Sequence, residues 1–243
     1  MHFGKGLVVM QGQTNPNLMI LELAVNALGT LADDMVFLGG CATGLLITDP
    51  AAPVIRATKD VDVITEVASL VEYHRLSEQL RGLGFAEDQS EQAPICRWLG
   101  HGVILDVMPT EEKVLGFGNQ WYQPALENAV RVDLPSGSSI RLVTAPYFLM
   151  TKLSAFEGRG NGDYLMSHDI EDIIALLDGR AVIVEDVRAA DMVVKNAIKE
   201  KCSVLVRNER FLEAIPGHLP GDAASQARLP LIMERVDAMA NLI

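Results

Sequence analysis

The stretch Met35-Val36-Phe37-Leu38-Gly39-Gly40-Cys41-Ala42, with Arg56-Ala57-Thr58-Lys59-Asp60-Val61-Asp62-Val63-Ile64 after it, decides the fold. Four apolar residues bounded by Asp33-Asp34 and a diglycine read as a buried strand ending in a glycine turn. Cys41 to Ile47 then reads as a short helix, and Pro50 and Pro53 mark a loop. Asp60 to Ile64 alternates polar and apolar residues in the manner of a half-exposed strand. Because side chains alternate along a strand, Asp60 and Asp62 share a face, their side chains starting roughly 6 to 7 Å apart. Carboxylates so placed converge on hard cations. Gly39 and Gly40 let backbone approach a ligand closely, and amides at the start of the following helix point toward phosphate.

Outward from this unit, apolar periodicity predicts a helix over Asn17 to Leu31, with Asn15-Pro16-Asn17 as its start signal. It predicts a second helix over Val67 to Leu83, closed by Gly82 and Gly84. Strands are expected at Ile95–Leu99 and Val103–Met108 around a Gly100-His101-Gly102 turn, and at Ile140–Thr144. Asp106 interrupts an apolar run. A buried aspartate without a cation or hydrogen-bond partner is costly, so Asp106 is the natural third carboxylate of a metal site. Beyond residue 144 the pattern turns helical: Pro146 to about Glu157, a GRGNGD loop, Ser167 capping a helix through Leu177, then Val187–Cys202 and Ala224–Leu242. The expected architecture is α+β, a mixed sheet with flanking helices in residues 1–144 followed by a helical C-terminal part in 145–243 that completes the cleft.

Composition narrows the function classes. The 243 residues carry 20 Lys+Arg against 32 Asp+Glu, a formal charge of −12, with 49% hydrophobic residues. Such a chain buries a real core and is not disordered. The excess of acid argues against sequence-blind nucleic-acid binding, which needs many cationic contacts to phosphate. The densest basic segment holds Lys195, Lys199, Lys201, Arg207 and Arg210; it reads first as a solvated helix face and second as a local RNA contact. Cys41, Cys96 and Cys202 form no CxxC and are expected as reduced thiols. His74, His101 and His168 form no ligand spacing. The longest apolar run falls short of the roughly 20 residues of a spanning helix, and the N-terminus lacks the h-region of a signal peptide. No membrane association and a cytoplasmic address are expected.

The strand, diglycine turn and T-x-DVD strand together resemble the signature of the DNA polymerase β-type nucleotidyltransferase superfamily, with Cys41 where that superfamily usually has serine. Arg56-x-Thr58-x-Asp60-x-Asp62, Lys152-Leu153-x-Ala155 and Asp169-x-x-Asp172 are more closely similar to the abortive-infection (AbiE-type, AbiEii-like) nucleotidyltransferase toxins, over about Phe37 to Leu177. The resemblance implies a nucleotidyltransferase-like fold and transfer of a nucleoside monophosphate from an NTP, with two Mg²⁺ ions held by Asp60, Asp62 and Asp106. It implies nucleotide contacts from Gly39, Gly40, Cys41, Arg56 and Thr58. It also gives Lys152 an approach to the triphosphate, with Asp169 in the same cleft. The acceptor it implies is a tRNA 3′ end or a protein hydroxyl, and the partner a cognate antitoxin.

On the residues themselves, Asp169 and Asp172 lie three apart on one helix face, and Arg159 falls on the same face as Lys152. Arg159 either reaches phosphate or pairs with Asp169. Two other readings stand beside the enzyme: a non-catalytic nucleotide- or partner-binding module, and a small-molecule nucleotidyltransferase whose cationic acceptor suits an acidic cleft.

Overall fold

A computed structural model of the chain describes residues 7–8 and 15–243. The N-terminal stretch read as lacking a signal peptide lies largely outside the described residues. No helix among them is long and apolar enough to cross a membrane. The chain divides into two compact units, residues 1–44 with 56–144 and residues 45–55 with 145–243. One division between the units falls after Thr144, and residues 45–55 belong with the C-terminal unit.

The first unit contains β1 (Leu7–Val8), α1 (Leu18–Leu28), β2 (Met35–Leu38), α2 (Gly39–Leu46, running into the other unit), β3 (Asp60–Thr65) and α3 (Leu70–Gly82). It continues with β4 (Ala86–Glu87), β5 (Arg97–Gly100), β6 (Val103–Pro109), α4 (Glu112–Leu115), α5 (Tyr122–Glu127), β7 (Val130–Asp133) and β8 (Ser139–Leu142). The eight strands form one mixed sheet in the order β1-β7-β8-β2-β3-β6-β5-β4. Its centre is apolar because β2 is buried throughout and Val61, Val63, Leu105 and Val107 are fully enclosed. The expected mixed sheet with flanking helices is therefore present.

Register is what positions chemistry here. Parallel pairing of β3 with β6 sets Asp62 opposite Asp106, and antiparallel pairing of β5 with β6 sets Arg97 opposite Asp106. Directly opposed residues project from the same face of a sheet. Asp62, Asp106 and Arg97 thus form one row across three strands, with Asp60 two residues along on the same face.

Several expected boundaries shift. α1 gives way at Gly29 to a 3₁₀ turn over Gly29–Asp34. α3 begins at Leu70 instead of Val67, because Ser69 accepts the Glu72 amide and the Glu72 carboxylate accepts the Ala68 amide, a reciprocal stop to the helix. β4, α4, α5 and β7 were not read from the sequence; all are six residues or shorter, too short for a clear period.

The second unit is helical: α6 (Ala145–Arg159), α7 (His168–Gly179), α8 (Ile183–Ala189), α9 (Met192–Leu205), α10 (Glu209–Ala214), α11 (Ala223–Gln226) and α12 (Leu229–Ala240). Ser167 caps α7 as expected. The single helix expected over Val187–Cys202 is two, broken where Ala190 is extended and the Asp191 carboxylate accepts the Tyr147 hydroxyl. The helix expected over Ala224–Leu242 also divides: Asp222 caps α11, and Pro230 has no N–H to continue it into α12.

Residues 45–55 are tied into this unit by polar contacts. The amides of Thr48 and Asp49 both donate to the Gly179 carbonyl at 2.9 Å, and Arg180 donates to the Leu46 carbonyl. Arg228 bridges Asp49 (2.6 Å) and Asp178 (2.7 Å), while Arg235 covers the carbonyls of Leu177 and Asp178 at the end of α7. A cation at a helix C-terminus is favoured by the exposed carbonyl dipoles.

Candidate active site

The carboxylate row of the first unit carries its own cation. Arg97 donates from Nε to Asp106 Oδ1 at 2.8 Å and from a terminal nitrogen to Asp106 Oδ2 at 2.7 Å, a planar fork onto both oxygens. The same terminal nitrogen reaches Asp60 Oδ2 at 3.2 Å. The hydrogen bond to Asp106, outweighing burial, holds the Arg97 guanidinium above its ordinary pKa. The Asp106 side chain is 9% exposed, that of Arg97 23% and that of Asp60 36%. Burial, reinforced by the negative charges of Asp106 and Asp62, pushes the Cys96 thiol up to about 12, so it stays protonated at neutral pH.

The glycine turn closes on the same row. Gly39 has φ of +72°, and a Cβ built on it would lie 1.8 Å from Asp62 Oδ2, so the carboxylate rests directly against the glycine backbone. Asp60 is oriented from its other side: Thr58 donates its hydroxyl to Asp60 Oδ1 at 2.6 Å. Cys41 is fully buried, its thiol directed to the Leu38 carbonyl at 3.3 Å, and Thr43 turns its hydroxyl toward the Gly39 carbonyl. Both side chains face inward.

Asn17, read from the sequence only as a helix start, has no exposed surface and makes no side-chain cap. Its amide instead donates to the carbonyls of Gly40 (3.3 Å) and Arg56 (3.0 Å) and accepts the Thr58 amide (2.8 Å). One side chain thus joins the diglycine turn to the segment that leads into the aspartate strand.

In the second unit Lys152, Asp169, Asp172 and Arg159 come together. Lys152 Nζ lies 3.2 Å from Asp169 and 2.6 Å from Asp172, all three side chains being nearly buried. Arg159, 72% exposed, forks onto Asp169 at 3.0 and 2.9 Å. Burial alone would raise the Asp169 carboxyl, but the Arg159 hydrogen bonds and the Lys152 charge hold it below the ordinary value. Of the two roles open to Arg159, pairing is the one seen. In the basic segment, Lys199, Arg207 and Arg210 are exposed and Lys201 pairs with Glu157.

The donor set at the carboxylate row suits a hard cation such as Mg²⁺ in chemistry: three carboxylates on neighbouring strands beside a turn stripped of side chains. Among the described residues, however, no group of three or more His, Cys, Asp or Glu stands arranged to hold a metal ion. The Arg97 guanidinium lies where a cation shared by Asp60 and Asp106 would go. A separate cavity of about 440 Å³ opens past the other end of β3, lined by Thr65, Glu66, Glu72, Arg75 and Arg141; it lies apart from the carboxylate row.

The first unit therefore presents a mixed-sheet α+β fold with a glycine turn against a strand DxD, completed by an aspartate on the neighbouring parallel strand. Among solved structures the chain is similar to an antigenic nucleotidyltransferase-like protein from Paracoccidioides brasiliensis, at 18% identity over 83% of this chain and 93% of that one, with a TM-score of 0.45. That likeness carries no residue role over to this chain. No protein-family model matches it, and a comparison with curated proteins finds no match.

Proposed function

We propose that this protein is a divalent-cation-dependent nucleotidyltransferase that moves a nucleoside monophosphate from an NTP to an acceptor hydroxyl. The observation that carries the reading is the packing of Gly39 directly on Asp62, in a row with Asp106 and beside Asp60. In the reaction the acceptor hydroxyl loses its proton to solvent, its oxygen bonds to the α-phosphorus, the bond from that phosphorus to the bridging oxygen breaks, and pyrophosphate leaves. Asp60, Asp62 and Asp106 would hold magnesium, which would supply a lowered pKa for the attacking hydroxyl and a counter-charge for the leaving pyrophosphate. The chain's own part is positional: Gly39, lacking a side chain, lets the Asp62 carboxylate close onto the turn, and Thr58 and Asn17 keep Asp60 and the turn in register. No step falls to Lys152, which Asp169 and Asp172 already engage.

The acceptor, by resemblance a tRNA 3′ end or a protein hydroxyl, and the role of toxin restrained by an antitoxin rest on that resemblance alone. Incubation with each labelled NTP, Mg²⁺, total RNA and a protein extract identifies the acceptor by what becomes labelled. Asp60→Asn and Asp62→Asn each abolish that labelling while leaving the fold intact; wild-type protein that binds neither Mg²⁺ nor NTP in calorimetry refutes the proposal. One observation favours the rival, a non-catalytic nucleotide- or partner-binding module: Arg97 already pairs with two of the three carboxylates. That module binds nucleotide or a partner without turnover.

A further inference from the structure

Arg97 has a role that the sequence did not suggest. It stands directly across β6 from Asp106, forks onto both oxygens of that carboxylate and extends to Asp60. A guanidinium is planar, permanently charged and matched to a carboxylate, so it engages both oxygens of Asp106 at once. Asp60, Asp62 and Asp106 carry three negative charges, of which the guanidinium offsets one. A cation that bridges Asp60 and Asp106 needs the space and the lone pairs that Arg97 now uses. With 23% of its side chain exposed, Arg97 has an outward path to solvent.

We propose that Arg97 is a resident counter-cation that competes with the divalent metal for Asp60 and Asp106, so that metal binding and release of Arg97 are one coupled equilibrium. The inference rests on the carboxylates being a metal site. Binding competence then depends on the fraction of molecules in which Arg97 has withdrawn, and apparent affinity falls by that fraction. A withdrawn state populated at about 1–10% weakens metal binding by about 10- to 100-fold. Coupling is reciprocal, so metal loosens Arg97 as Arg97 excludes metal.

The test uses the whole chain and Mn²⁺ or Mg²⁺ alone, without nucleotide. Calorimetry and the electron-spin signal of free Mn²⁺ give affinity and stoichiometry for the wild type, Arg97→Gln and Arg97→Lys. Arg97→Gln tightens Mn²⁺ by about tenfold or more, and Arg97→Lys, a single point charge, falls between. In the wild type, Mg²⁺ shifts the Arg97 Nε–H resonance. If Arg97→Gln folds only with metal present, that dependence itself supports competition, and Arg97→Lys supplies the affinity comparison. Wild-type affinity retained in both variants, with Asp62→Asn abolishing binding, overturns the competition and leaves the metal site standing. Absence of Asp62-dependent binding in every variant removes the metal site and the inference with it.

Discussion

Substituting Gly39 by alanine tests the packing on which the site reading depends, because two separable costs fall on that one atom. The first is backbone: φ is +72°, and holding a non-glycine residue in the left-handed region costs about 1–3 kcal/mol. The second is overlap, since the new Cβ would lie 1.8 Å from Asp62 Oδ2, 2.6 Å from its Cγ and 2.8 Å from its Cβ. Relief by shifting Asp62 adds about 1–3 kcal/mol in the manner of an overpacked core. Gly116 supplies the reference: φ is +78° and a Cβ there meets nothing within 4 Å, so Gly116→Ala carries the backbone cost alone. Gly39→Ala is therefore expected to exceed Gly116→Ala by about 1–3 kcal/mol in urea unfolding. Tryptophan fluorescence isolates the relevant unit, as Trp98 and Trp121 are the only tryptophans and both are buried in it. In an Asp62→Gly background the excess disappears; in Asp62→Ala, which keeps the Cβ at 2.8 Å, part of it remains. Equal losses at the two glycines, or an excess undiminished without Asp62, would refute the reasoning.

Two further outcomes follow from buried polar groups. Asn17→Ala strands the carbonyls of Gly40 and Arg56 and the amide of Thr58, at about 1–3 kcal/mol for each buried group left unmade, and Asn17→Asp aims a carboxylate at two carbonyls. The aspartate variant is most stable when protonated, so its unfolding midpoint in urea, followed by the same fluorescence, rises on acidification relative to that of Asn17→Ala. Asp169, held below the ordinary carboxylate pKa of about 3.9, contributes stability that is present above that value and lost as pH falls through its folded value. Asp169→Asn accordingly costs about 1–3 kcal/mol at neutral pH, and the gap to wild type, read from helical circular dichroism, closes below about pH 4.

What was legible in the sequence was local. The run Met35–Leu38, the diglycine and the alternation through Asp60–Ile64 each declare themselves within a few residues, and they recur as β2, the turn and β3. Asp106 declared itself as an acid in an apolar strand, and it is buried in β6. Arg97 went unnoticed because its partnership arises from the β5–β6 register, which no short-range pattern encodes. Asn17 was misjudged for a related reason: asparagine before a helix is the usual capping signal, and its actual partners lie 23 to 41 residues away. The attachment of residues 45–55 to the helical unit depends on Arg180 and Arg228, more than 130 residues distant. A signal for Arg97 did exist: a lone arginine two residues after Ile95, in a strand facing a buried aspartate, is the expected supplier of its charge.

The structure also changes what a buried acid implies. The premise that an enclosed aspartate must have a cation or hydrogen-bond partner holds at three places, and at each the cation belongs to the chain: Arg97 for Asp106, Lys152 for Asp169 and Asp172, Arg228 for Asp178. Burial of acid alone therefore does not mark a metal ligand in this protein. The three clusters differ in what surrounds them. Lys152 is 10% exposed and serves two aspartates at once, so withdrawing it would take the nearest cation from the buried Asp172 and leave Asp169 to Arg159 alone, a loss of several kcal/mol. Arg228 also donates to the Asp178 carbonyl and to Asp49, contacts that tie distant segments of one unit together. Arg97 is the most exposed of the three cations, directs its guanidinium hydrogen bonds to carboxylates of a single row, and stands beside a glycine turn whose missing side chain leaves room only for Asp62. An incoming divalent ion would satisfy every group that Arg97 leaves behind, which neither of the other clusters permits without dismantling packing. The carboxylate row is on that ground the one place among the three where an internal ion pair and an exchangeable cation site can be the same structure.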